Sequence, residues 1–103
     1  MGAVEKSGLF QLVTTSVEKN GFYRADVIIE GSRIPGKTFF PKNWSREKVV
    51  NKIGEAYDNF IKSGASASEK GGKYIVDGLT NEGITIRMFI TKNGQIATAY
   101  PKL

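Results

Sequence analysis

The stretch Ile84-Thr85-Ile86-Arg87-Met88-Phe89-Ile90-Thr91-Lys92-Asn93-Gly94-Gln95-Ile96-Ala97-Thr98-Ala99-Tyr100-Pro101 decides the fold. Ile84, Ile86, Met88 and Ile90 alternate with Thr85, Arg87, Phe89 and Thr91, the period-2 pattern of a strand with two unlike faces. Asn93-Gly94 supplies the positive φ angles of a tight hairpin turn, and Gln95 to Tyr100 returns as the partner strand. Pro101 lacks an N–H and ends the ladder.

Two registers fit this turn. A two-residue loop pairs Thr91 with Ile96, Phe89 with Thr98 and Arg87 with Tyr100. Arg87, Thr98 and Tyr100 then share one face, while Met88, Ile90, Ala97 and Ala99 pack on the other. A type I turn with a Gly94 bulge instead sets Ile90 against Ile96 and Arg87 against Ala99. In both, Thr98 and Tyr100 lie on one face. A plainer reading makes Tyr100 an ordinary strand aromatic, Thr98 a β-branched filler and Arg87 a solvated cation.

Working outward, Tyr74 to Leu79 reads as a further strand that turns at Asn81-Glu82-Gly83 into Ile84. Before it, Gly64 to Gly72 is a Ser/Ala/Gly/Lys segment expected to be a mobile loop. A helix is expected over 45–63: Ser45 is an N-cap, Trp44 and Val49 occupy the positions of a hydrophobic staple, and Val49, Ile53, Ala56, Tyr57 and Phe60 recur at helical spacing. Gly31 to Lys37, with Pro35 and two glycines, is expected to break regular structure and present Arg33 and Lys37 to solvent. Leu9 to Val17 fits either a helical stripe ending at Gly21 or a strand, since Val13-Thr14-Thr15 is β-branched. We read a hairpin, Phe10 to Glu18 turning at Lys19-Asn20-Gly21 into Phe22 to Glu30. Met1-Gly2 carries no signal. The expected fold is α+β in one domain, 1–103: an antiparallel sheet, formed by a three-stranded meander over 73–101 and an N-terminal hairpin, packed on one helix.

Composition narrows the chemistry. At 103 residues the chain can bury a core without a metal or disulfide staple. It has no cysteine and no histidine, which removes Cys/His zinc sites, Cys nucleophiles and every mechanism with a histidine base. No apolar run approaches ~18 residues and no leader pattern opens the chain, so stable membrane insertion is not expected. Net charge is +5 and the pI is near 9.6. Arg33, Lys37, Lys42, Arg46, Lys48 and Lys52 stand against the single acid Glu47 over that segment, beside Phe39, Phe40 and Trp44. Cations next to aromatics suit a phosphate backbone with bases to stack, which makes Lys42, Trp44 and Arg46 candidate RNA contacts. The alternative is a Lys-rich solubilising surface.

Pro35-Gly36-Lys37-Thr38-Phe39-Phe40-Pro41-Lys42-Asn43-Trp44-Ser45, then a helix, a Gly-rich spacer, Gly83-Ile84-Thr85-Ile86-Arg87 and terminal Thr98-Ala99-Tyr100-Pro101, together resemble the bacterial EndoU-type nuclease toxin domain. The resemblance covers roughly Val27 to Leu103. It implies a ribonuclease of the barnase, EndoU, colicin and RelE group: a metal-independent endonuclease without cofactor, acting on tRNA. It further implies a C-terminal toxin module of contact-dependent inhibition, acting in the target-cell cytoplasm, with a cognate immunity protein and room for a host activating factor. An acidic inhibitor across the basic groove is the simplest way to silence such a domain.

The family pattern carries over at Lys37, where a catalytic lysine stands, and at Thr98 and Tyr100, the terminal pair that contacts substrate. It fails at two histidines. Val27 stands about where the first is expected, and the loop carrying the second is shortened into Ser32-Arg33-Ile34. Attack by a 2′-hydroxyl needs a base, a cation for the pentavalent phosphate and an acid for the leaving oxygen. Lys37, Arg33 or Arg87 can supply charge, Tyr100 acid or base, and Thr98 a hold on the phosphate. The other outcome is a domain that binds RNA, or a protein partner, without cutting.

Overall fold

Three hairpin turns in this chain close in the same way, and they set its topology. The computed structural model describes residues 4–7, 10–18 and 20–103, Val4–Ser7 by backbone alone; Met1-Gly2, Leu9 and Lys19, used in the sequence reading, lie outside these. At each turn a glycine with φ near +90° donates its N–H three residues back: Gly21 to Glu18, Gly83 to Thr80 and Gly94 to Thr91. The residue after that glycine then accepts from the turn's first N–H, Phe22 from Glu18, Ile84 from Thr80 and Gln95 from Thr91. At Thr80–Gly83 and Thr91–Gly94 this is the hairpin turn closed by a left-handed glycine, so of the Asn93-Gly94 pair only Gly94 has positive φ.

The contacts divide the chain into two compact units that meet in sequence between Asn43 and Trp44. The first is a four-stranded antiparallel sheet of β1 (Val4–Ser7), β2 (Phe10–Val17), β3 (Tyr23–Ile29) and β4 (Ser32–Phe39), in that order. The hairpin reading of residues 10–30 holds, and the helical alternative for Leu9 to Val17 does not. Leu12, Tyr23, Ala25 and Val27 form the core, with the Phe39 ring stacked 5.1 Å from that of Tyr23.

The expected loop at Gly31 to Lys37 is instead strand β4, and a side chain ten residues away explains why. Ala25 pairs with Lys37 and Val27 with Ile34, which leaves Pro35 and Gly36 bulged opposite Asp26. Pro35 has no N–H to lose, Gly36 takes φ +69°, and its N–H donates to Asp26 Oδ1 at 3.1 Å.

The second unit holds α1 (Arg46–Ser63) and a four-stranded antiparallel sheet of β5 (Ser68–Lys70), β6 (Lys73–Leu79), β7 (Thr85–Thr91) and β8 (Ile96–Pro101). The α+β class and the helix are as read from the sequence. The meander gains a fourth strand because Gly71 and Gly72 both take positive φ and fold Ser68–Lys70 back on β6; the segment expected to be a mobile loop is half hairpin. Ser45 caps the helix by accepting the Lys48 N–H at 3.1 Å. Gly64, at φ +72°, ends it with its N–H to Ile61 O.

The helix packs chiefly on β6, and the approach is close enough to require glycine. A Cβ on Gly78 would stand 2.1 Å from the Ala56 carbonyl oxygen. Val76, Ile86, Met88 and Ile90 are buried on this side. Asn59 donates to Leu79 O at 2.7 Å, and the Asn81 N–H donates to Glu55 Oε1 at 2.6 Å. Lys52 joins Glu82 at 2.7 Å and Glu55 at 3.4 Å. The β6–β7 turn is therefore pinned to the helix, and the opposite face of β6, β7 and β8 is held in a fixed register.

Candidate active site

On that opposite face the strands run in cross-strand rows. Asp77 pairs with Arg87, and Arg87 with Tyr100. Next to this row lie Ile75, Phe89 and Thr98, again in register. Both registers allowed by the sequence contribute: Ile90 faces Ile96 near the turn, then an extra residue at Ala97 shifts the ladder and sets Arg87 opposite Tyr100. The bulge keeps the site residues in line while the glycine turn keeps its own geometry.

Arg87 grips Asp77 with two hydrogen bonds, Nε to Oδ1 at 2.9 Å and Nη2 to Oδ2 at 3.0 Å. Lys102 Nζ approaches Asp77 Oδ2 at 3.3 Å. The Arg87 bond, then that of Lys102, hold the Asp77 carboxyl below its ordinary range against the opposing effect of burial. Arg87 is raised, first by Asp77 and further by the Tyr100 hydroxyl beside it, so it is a permanent cation. Using only Nε and one Nη2 hydrogen on Asp77 leaves guanidinium donors for another anion. Tyr100 is half-buried, its ring 6.2 Å from that of Phe89, and Thr98 is exposed.

The structure thus brings Arg87, Thr98 and Tyr100 onto one face, as the first of the two registers required. Lys37 and Arg33 belong to the first unit. Lys37 is exposed on β4 and pairs with no carboxylate among the described residues. Arg33 is exposed, as expected, but from strand β4 rather than a loop, and it is clasped to Asp26, with Nε at 2.8 Å from Oδ2; Arg33 and then the Gly36 N–H depress the Asp26 carboxyl. Lys42 lines an open groove of about 630 Å³ with Thr14, Asn20, Tyr23 and Asn43, its ammonium 5.3 Å from the Tyr23 ring centre. In the second unit, Trp44 is half-buried under the Lys48 ammonium, 4.6 Å from its ring centre, and Arg46 is exposed in the first turn of α1.

Asp77 and Lys102 were missed in the sequence, although a signal for Asp77 exists. Counting back from the Gly83 turn pairs residue 77 with residue 87. Lys102 gave no such signal because Pro101 reads as the end of the ladder; the structure instead pairs Pro101 with Ile86, and the Lys102 N–H donates to Thr85 O at 2.8 Å.

Among the described residues no helix is long and apolar enough to cross a membrane. No solved structure matches the chain. A Bacillus cereus protein named Toxin is 41% identical over 85 residues, which cover 79% of this chain and 14% of that protein; the chain spans a small part of its relative's length. A family model described as bacterial EndoU nuclease matches residues 3–103, nearly the whole sequence and every candidate site residue, and the chain belongs to the bacterial EndoU nuclease family.

Proposed function

We propose that this nuclease domain is an RNA endonuclease module of a larger toxin, which cuts tRNA without metal or histidine and leaves a 2′,3′-cyclic phosphate. The observation that carries the reading is the row that sets Tyr100 beside Arg87, with Thr98 on the same open face. Family membership supports nuclease chemistry, and the name of the Bacillus cereus relative supports a toxin.

The ribose 2′-oxygen attacks phosphorus, and the bond from phosphorus to the 5′-oxygen breaks. Arg87 stabilises the charge that builds on the non-bridging oxygens, since its strand holds the guanidinium at the site before the substrate arrives. Thr98 gives a hydrogen bond to the same phosphate. Tyr100 supplies a proton to the departing 5′-oxygen. Lys37 enters from the family pattern as a further cation, with Lys42, Trp44 and Arg46 as contacts to flanking RNA. An acidic immunity protein would protect the producing cell by covering the cationic surface, and delivery belongs to the longer toxin. A host activating factor would show as a need for cell extract.

Loss of the histidines favours a second reading, in which the domain binds RNA without cutting. That reading requires salt-sensitive binding and no new RNA ends. Cleavage of total bacterial tRNA by wild type, Lys37→Ala, Thr98→Ala and Tyr100→Phe separates the two. We expect losses of roughly 100-fold or more for Lys37→Ala and Tyr100→Phe, with unchanged melting. Undiminished cleavage in both variants would remove the site assignment.

A further inference from the structure

A histidine-free nuclease still has to take the proton from the attacking hydroxyl, and the strands offer one group for the task. Asp77 is the only acid in β6, β7 and β8. It lies in the same row as Arg87 and Tyr100, on the face away from the helix. We propose that Asp77 is the general base of this site, an inference that rests on the ribonuclease reading above.

What surrounds Asp77 suits a base that is switched on by substrate. From β7 it meets Arg87 at 2.9 Å, and from beyond β8 it meets Lys102 at 3.3 Å; Tyr100 stands on the far side of Arg87. Pairing of β5 with β6 stops at Ser68–Ile75, short of Asp77, and its strand neighbours Val76 and Gly78 face the helix. The hydrogen bonds of its carboxylate among the described residues are with the side chains of Arg87 and Lys102, both cations of the kind that bind phosphate. About one third of its side chain is exposed, as is that of Arg87, so the carboxylate has access to a ribose hydroxyl.

In the free protein the two cations hold the carboxylate deprotonated but weakly basic. An RNA phosphate drawn to Arg87 and Lys102 shares their charge and competes for their N–H groups, which makes Asp77 a stronger base when substrate is bound. The step balances. Asp77 takes the 2′-hydroxyl proton as the 2′-oxygen bonds to phosphorus. The electron pair of the breaking bond goes to the 5′-oxygen, which takes the Tyr100 proton. The Asp77 acid then returns a proton to the Tyr100 phenolate through solvent.

The test is a pH profile of kcat and kcat/KM for cleavage of a tRNA by wild type, Asp77→Asn and Asp77→Glu, each checked by melting. We expect both wild-type profiles to fall on the acid side, with the kcat limb at higher pH than the kcat/KM limb, because the first reports the complex and the second the free enzyme. Asp77→Asn should lose about 100-fold or more in kcat with little change in KM, and its acid limb should vanish; Asp77→Glu should restore part of both. A role in merely anchoring Arg87 would lower kcat yet leave the acid limb in place in Asp77→Asn, which overturns the inference. Coincident wild-type limbs also overturn it, and that reading needs no variant to fold. A wild type that cuts while Asp77→Asn cuts equally sinks Asp77 alone; a wild type that cuts no RNA either alone or with cell extract sinks the ribonuclease reading, and Asp77 with it.

Discussion

Each unit of this protein holds one aspartate against one arginine, and the two pairs do different work. In the first sheet Asp26 grips Arg33 and also accepts the Gly36 N–H, so it closes a backbone bulge. In the second, Asp77 grips Arg87 and Lys102 and accepts no backbone group among the described residues. A carboxylate committed to the backbone cannot gain a proton without loosening its strand. One held only by side chains can exchange partners with a substrate while the strands stay paired. The comparison assigns Asp26 to folding and Asp77 to chemistry.

The largest effect should come from blocking the surface that supports the Asp77 row. Gly78→Ala places a methyl against the Ala56 carbonyl, where backbone cannot give way cheaply, and should cost about 3 kcal/mol in urea unfolding. Gly36→Ala, at the Asp26 bulge, meets nothing within 4 Å and pays only for its φ of +69°, about 1 to 2 kcal/mol. Ser45→Ala removes the helix cap and should cost about 1 kcal/mol. If Gly36→Ala proves as damaging as Gly78→Ala, the bulge is more tightly built than its open surroundings indicate.

Acid should show the smallest and broadest change. Both aspartates are depressed in the folded protein. Their contribution is therefore complete above the ordinary carboxylate value of 3.8 and is lost as pH falls through the lower folded values. Asp26→Asn should lower the urea midpoint at neutral pH and shrink its fall between about pH 4 and pH 2. An unchanged acid fall would dissociate Asp26 from folding and weaken the contrast with Asp77.

The comparison also marks how far the sequence could be read. The helix over 45–63 was legible because its cap and stripe lie within it and its terminal glycine, Gly64, follows directly. The shared face of Thr98 and Tyr100 was legible because alternation survives either register, whereas the place of Arg87 beside them depended on which register the strands take. Strand β4 was not, since Pro35-Gly36 looks like a break until Asp26 supplies an acceptor from another strand. Strand β5 is Ser68, Glu69 and Lys70, all exposed, so no apolar pattern announces it. The base was hidden for a similar reason: a lone Asp in a strand gains meaning only from the partner that register brings to it. Turn counting recovers such a partner, and composition does not.

The measurement that tests the central claim most directly is incubation of the purified domain with total bacterial RNA in excess EDTA, followed by mapping of new ends and their phosphate chemistry. Discrete tRNA cuts bearing 2′,3′-cyclic phosphates, absent with Tyr100→Phe, are the result this account requires. No new ends in EDTA, or cuts that leave 3′-hydroxyls, would contradict a histidine-free and metal-free attack by the 2′-oxygen.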